Sequence, residues 1–342
     1  MRRTLALCAA ATALLSATPA AADPMDLNLA RLGAPAPVVW DRLSAYCSVA
    51  GNGCTPISGL SSDSLAFGSM QRYRQLVMQL GTAISSPLLT DATTGGQLGL
   101  GVALEAGTAA IRHSDAAGNN PLGGPGLVTW PVRGDDPQSL RTLALHVHKA
   151  LPFSIDLGGR LIYVDQSQMG AAQGELRWAI NENYGRWIPD VAVRLAYTRL
   201  FGQRDLELNV LDADLTVGRR FGVGGVVQLT PYGALRFTSI GAKTDAIDFG
   251  PTAVGTCSST NCYPDHRTPA EVLATTVPFP DMKFFDNWLY RWTLGGRLTS
   301  GSLSLALELT YQPGKTMKQT EGLPTTLLPD SWNGAVRVGL EL

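Results

Sequence analysis

From Trp288 to Leu298, large apolar side chains stand at every second position but Gly296: Trp288, Tyr290, Trp292, Leu294 and Leu298. Between and beside them stand Asn287, Arg291, Thr293, Arg297 and Thr299. A period of two predicts a strand with one greasy face and one wet face. The same alternation recurs along most of the chain.

Leu98 to Ala106 carries it, with Glu105 on the polar side. Leu143, Leu145 and Val147 oppose Thr142, His146 and His148, and after Pro152 a second run opposes Asp156 and Arg160. Leu176 and Trp178 oppose Glu175 and Arg177, and Val191 to Tyr197 oppose Asp190 and Arg194. Leu235 and Phe237 oppose Arg236, Leu303 to Tyr311 oppose Glu308, and Val336 to Leu342 oppose Arg337 and Glu341. One segment changes phase: Leu206, Leu208 and Val210 are even, whereas Leu211, Leu215 and Val217 are odd. A one-residue bulge near Val210 restores a single apolar face, with Glu207, Asn209, Asp212 and Asp214 opposite.

Ten such segments, each about 10 to 15 residues long, exceed the five or six residues usual in soluble sheets. They suit tilted strands that cross a bilayer. Tryptophan and tyrosine cluster on the apolar face near segment ends, as in aromatic girdles. Connections fall into short ones (151–153, 219–225, 299–302) and long Gly- and Pro-rich ones (Arg112 to Ser139, Gly241 to Met282). Short turns belong on the periplasmic side and long loops outside. The expected fold is therefore all-β: a closed antiparallel up-and-down transmembrane barrel of about ten strands, twelve being the alternative count, over residues 95–342. Closure follows because lipid offers no partner to an open sheet edge.

Residues 23–94 lack that period and are expected as a periplasmic leader. Within it, Tyr73, Leu76, Val77 and Leu80 fit a helix face, while Leu76, Met78, Leu80 and Ile84 fit a strand face equally well. A helix or partial plug tucked into the barrel is the preferred reading. Residues 1–22 combine two arginines, an apolar run from Leu5 and Ala20-Ala21-Ala22, the pattern of a secretory signal. That run is too short to span a bilayer.

Removing those 22 residues leaves 25 basic against 28 acidic side chains, a balance of −3. No basic surplus points to nucleic acid as a partner. The remaining cysteines form two local pairs, Cys47 with Cys54 and Cys257 with Cys262, read as two disulfide loops in an oxidising compartment. Their spacing fits zinc poorly, and no metal or other cofactor is expected.

LHVHKALPFSIDLGGRL (145–161), the stretch from Pro189 to Gly222 and TPYGALRF (230–237) together resemble a family of uncharacterised proteobacterial outer-membrane β-barrel proteins. QLGTAISSPLLTDATTGGQLGLGVALEA (79–106) resembles that family's N-terminal segment, and the Lys-x-Leu-Pro-Phe turn is the most specific part. The resemblance covers roughly residues 65–342 and implies an outer-membrane barrel, with no activity attached. The chain departs from the pattern in ending on Leu342 instead of an aromatic residue.

Alternation places the remaining chemistry inside the barrel: Glu105, His146, His148, Asp156, Arg160, Glu175, Arg177, Asp190, Arg194, Glu207, Asp212, Asp214, Arg236, Arg291, Arg297, Glu308, Arg337 and Glu341. Two readings follow. Arginines and carboxylates satisfy one another in a narrow, closed lumen, or they line a thin pore for small polar solutes, gated by residues 23–94. His146 and His148 lack a third ligand, so they read as polar wall residues and not as a metal site. Asp212 and Asp214 could share a proton, but ion pairs with nearby arginines are the simpler reading. An outer-membrane hydrolase needs a nucleophile beside a base near the outer rim. His113, Ser114, Asp115, Ser258, Asp265 and His266 lie in the expected outer loops without a recognisable signature. The expected role is a narrow passive channel or a structural envelope protein, the alternative being surface binding through loop 241–282. Expected partners are outer-membrane lipids and lipopolysaccharide, the barrel-assembly machinery and small polar solutes.

Overall fold

The computed structural model describes residues 23–48, 61–85, 87–94, 99–111, 130–132, 137–182, 188–249, 275–320 and 322–342. Ten long strands form the wall: β1 (Leu100–Ala110), β2 (Ser139–Leu151), β3 (Ile155–Val164), β4 (Gly170–Ala179), β5 (Asp190–Phe201), β6 (Leu206–Gly218), β7 (Val227–Thr244), β8 (Trp288–Ser300), β9 (Leu303–Gln312) and β10 (Ser331–Glu341). Each pairs antiparallel with its sequence neighbours, and β10 returns to pair with β1 from Gly101↔Glu341 to Ala109↔Asn333. The barrel is closed, so every strand edge is matched.

Most outward positions are apolar, with charges such as Arg141, Lys149, Arg199 and Glu207 near the strand ends. Leu104, Leu161, Leu195, Leu294 and Leu307 are exposed on this outer face, as alternation requires of a wall facing lipid. Tyr311 packs against Trp332 with ring centroids 4.7 Å apart and planes tilted by 39°, and Phe237 meets Tyr290 edge-on at 5.0 Å. These rings form part of an aromatic belt over adjacent strands.

The two mouths differ. At one, β2 joins β3 through Pro152–Ser154 and β8 joins β9 through Gly301–Ser302, and β10 ends beside the start of β1. Phe153 and Ser154 both take positive φ, +67° and +56°, which closes the tight turn of the Lys-x-Leu-Pro-Phe motif. The described parts of the longer connections, among them 130–132, 275–287 and 313–320, lie at the other mouth.

The first segment is helical. α1 spans Pro37–Ser48 and α2 spans Ser62–Ile84. Ser61 caps α2 through its side chain, which accepts from Ser64 N–H at 3.2 Å, and Asp63 sits in the first turn, both favourable at a helix start. Leu65, Ser69, Tyr73, Leu76, Val77, Leu80 and Ile84 are all buried. The helix stops at Ser85, just before Pro87, where proline restricts the preceding backbone. Of the two periodicities in this stretch, the helical one wins because its buried face packs against the barrel wall.

Two expectations change. The β6 ladder runs unbroken against β5 and β7 with no bulge. Leu206, Leu208 and Val210 point into the barrel and are buried, while Glu207 points out and is exposed. Leu140, Ile162, Leu200, Ile240 and Leu289 are likewise inward and buried near the long-connection mouth. The lumen therefore has an apolar throat at that mouth and a polar remainder, and the phase break in β6 marks the border. The second change concerns residues 23–48. They pack over the long-connection mouth, not beside the short turns where a periplasmic leader was expected. Met25 N–H donates to Gln166 O at 3.0 Å, Asn28 N–H to Pro131 O at 2.8 Å, and Gln203 Nε2 to Leu27 O at 3.1 Å. Leu29, Leu32, Val39 and Trp40 are fully buried in one apolar cluster with Tyr73, Leu76, Phe279 and Leu328.

Candidate functional site: a lumen filled by its own chain

α2 enters the barrel from the capped mouth. Its upper part is fixed to the long connections by Arg74, which donates to Asn287 Oδ1 at 2.8 Å and to the carbonyls of Lys318 and Pro324, both at 2.8 Å. Tyr73 stacks on Phe279, with centroids 4.5 Å apart and planes at 16°. Lower down, Gly81 lies so close to Ile240 of β7 that a Cβ there would stand 2.7 Å from its Cδ1. Ser85 Oγ, at the helix end, donates to Asp212 Oδ2 at 2.6 Å.

Residues 87–94 then run through the polar part of the lumen as a strap. Leu88 and Leu89 donate their backbone N–H groups to the Glu308 carboxylate at 3.0 and 2.6 Å. Tyr232 also donates to Glu308, at 3.1 Å, and reaches it over Gly295, where a Cβ would strike the phenol ring. Asp91 O accepts from Arg177 at 2.8 Å, and Asp91 Oδ1 accepts from Arg297 at 3.0 Å. Thr94 ends the strap on Glu182, with N–H at 3.1 Å and Oγ1 at 2.6 Å.

The wall charges pair with one another around this insert. Arg160 binds Glu105 at 3.0 Å and also binds Glu175. Arg194 bridges Glu175 at 2.9 Å and Asp214 at 2.8 Å, and Arg236 shares Asp214. Arg177 pairs with Asp156, Arg291 with Asp212 at 3.0 Å, and Arg297 and Arg337 with Glu341 at 2.5 and 3.3 Å. His146 sits between Glu105 and Glu175, 3.1 Å from each, whereas His148 meets Glu341 at 3.2 Å. The two rings address different carboxylates and do not converge on one point. Asp212 and Asp214 each hold an arginine, an arrangement for ion pairing and not for a shared proton.

Glu207 is the exception among the inward assignments. It lies outside the wall, 3.9 Å from Arg199, with both side chains 64% exposed. Asp190 is buried. Alternation alone also left out Asp91, Glu182, Arg74 and Ser85, because they lie on the insert or on a connection. The signal that could have located the insert is apolar side chains at inward parity near one mouth. Between α2 and the wall, beside Thr82, Ser85, Arg291, Glu308 and Asn333, there remains a cavity of about 30 Å³, room enough for water.

Closed pairing, an apolar exterior and a charged interior decide the class. The chain is an outer-membrane-type β-barrel. Its wall is similar in outline to neisserial surface protein A, at 11% identity and a TM-score of 0.25, covering 73% of this chain and 97% of that one. It is likewise similar in outline to the translocator domain of the autotransporter NalP from Neisseria meningitidis, at 12% identity and a TM-score of 0.32, covering 82% of this chain and 97% of that one. No family model and no curated protein matches the chain. The disulfide expectations fall on Cys54, Cys257 and Cys262, outside the described residues, and on Cys47, whose side chain is not described. The outer-loop His113, Ser114, Asp115, Ser258, Asp265 and His266 lie outside them too, as does most of loop 241–282.

Proposed function

We propose that this barrel is sealed and serves as a structural scaffold of the outer membrane, holding the assembly at its long-connection mouth in place. One observation carries the reading: the inward charges pair with one another and with Ser85 and residues 87–94. A conducting pore needs polar groups that face water along a continuous path. Here the carboxylates of Asp212, Glu308 and Glu182 bind the insert instead. Burying so many charges is tolerable only where partners are near. The insert supplies partners to Asp212, Glu308, Arg177 and Arg297 of the wall.

On this reading the partners are lipids and lipopolysaccharide around the apolar belt and the assembly machinery during insertion. The test is conductance of the refolded chain in a planar bilayer, with folding verified by heat-modifiable electrophoretic mobility. The expected trace from folded protein is silent. A steady current altered by Arg291→Ala would restore the passive channel for small polar solutes.

A further inference from the structure

We infer that residues 23–48 stand on the cell surface, delivered there by a stretch of the same chain that runs through the barrel from mouth to mouth. The course of the chain can be followed contact by contact. β1 begins at the short-turn mouth, where Leu100 and Leu342 exchange backbone hydrogen bonds at 3.0 and 2.8 Å. Immediately before it, Thr94 is held by Glu182 in the connection between β4 and β5, and Ala92 packs with Ala179 and Ala192 at the same mouth. Leu88 and Leu89 lie at mid-height on Glu308, and Ser85 on Asp212. Arg74 has reached the connections at the opposite mouth, and Asn28 and Trp40 lie beyond it in the cap.

From Arg74 to Ile84 the helix rises about 15 Å at 1.5 Å per residue, and the strap of residues 87–94 can add up to about 25 Å at its full extension, against a hydrocarbon core of about 30 Å. α2 and the strap together therefore suffice to cross the membrane inside the wall. In outer-membrane barrels the short turns face the periplasm, so the capped mouth is the outer one. The segment ahead of α2 is then displayed by the barrel that follows it. Its fit is that of a folded part and not of a passing chain: Leu29, Leu32, Val39 and Trp40 are fully buried, and Trp40 Nε1 donates to Ala34 O at 2.7 Å. The inference shares only the membrane setting with the sealed-scaffold reading.

The experiment places a short epitope between Ala22 and Asp23 in one variant and in the Gly301–Ser302 turn in another. If that turn does not tolerate the insertion, Gly224–Gly225 at the same mouth replaces it. Intact cells are probed with antibody, then probed again after the outer membrane is permeabilised, and heat-modifiable mobility verifies that each barrel is folded. The expected result is full labelling of the Asp23 epitope in intact cells, with the turn epitope reached only after permeabilisation. An Asp23 epitope that stays hidden until permeabilisation overturns the inference, and so does a turn epitope exposed on intact cells. Conductance from the native chain would sink the sealed-lumen reading and leave this labelling pattern unchanged.

Discussion

Glu308 of β9 holds the backbone of Leu89, accepting its N–H at 2.6 Å while also accepting that of Leu88 at 3.0 Å. Leu89 has φ +46°, a conformation uncommon for a non-glycine residue and kept only where the surroundings enforce it. One carboxylate thus fixes the strap where it turns away from the helix. Glu308→Ala strands two buried amides, each costing about 1–3 kcal/mol. The variant should unfold at lower urea and expose residues 87–94 to protease, with Glu308→Gln intermediate. Native resistance in Glu308→Ala would show that the strap is held by other contacts.

Gly81 sets how closely α2 approaches the wall. Gly81→Leu has no room against Ile240, and overpacking of this kind costs about 1–3 kcal/mol. The expected outcome is a barrel with native strand content by circular dichroism but faster hydrogen exchange along α2. Pairing it with Ile240→Ala should recover much of the loss. Absence of recovery would place the clash elsewhere.

Asp214 and Glu207 lie on the same strand and face opposite ways. Asp214 is the carboxylate shared by Arg194 and Arg236, all three buried. Its replacement by alanine should cost about 3–5 kcal/mol, as for other buried pairs broken from one side. Glu207→Ala loses only an exposed 3.9 Å contact with Arg199, which should change stability by no more than about 1 kcal/mol. Chemical denaturation of the two variants side by side separates them, and equal losses would contradict the inward and outward assignments.

Phe153 occupies a left-handed backbone position and is 87% exposed. Left-handed φ costs a side chain of this kind roughly 1–2 kcal/mol, and asparagine tolerates it better. Phe153→Asn should therefore stabilise the detergent-solubilised barrel by up to about 1 kcal/mol. A fall in stability on reconstitution into bilayers, with the gain kept in detergent, would identify the ring as an anchor in the lipid interface.

The wall was legible because one physical demand repeats in every strand: lipid outside, paired charge inside. Arg291, Glu308 and Arg337 could be placed from parity alone. The insert was not, since the apolar face of α2 reads the same whether it packs in a barrel or in a soluble leader. The phase change at Leu206, Leu208 and Val210 is visible in the sequence, but a bulge explains it equally well there. Its cause is that those side chains face the apolar assembly at the capped mouth. Glu207 was misplaced for the same reason: keeping a single lipid-facing apolar stripe along β6 required turning it inward. The side of the barrel on which residues 23–48 lie depends on contacts such as Asn28 with Pro131, which no local pattern encodes.

The greasy throat formed by Leu140, Ile162, Leu200, Leu206, Leu208, Val210, Ile240 and Leu289 has a consequence for any event that removes the helix. Narrow channels lined by such side chains shed their water and stop ions by dewetting, even with nothing solid in the way. A barrel stripped of its insert would still carry a dry collar beneath its capped mouth, a second closure made of vapour instead of protein.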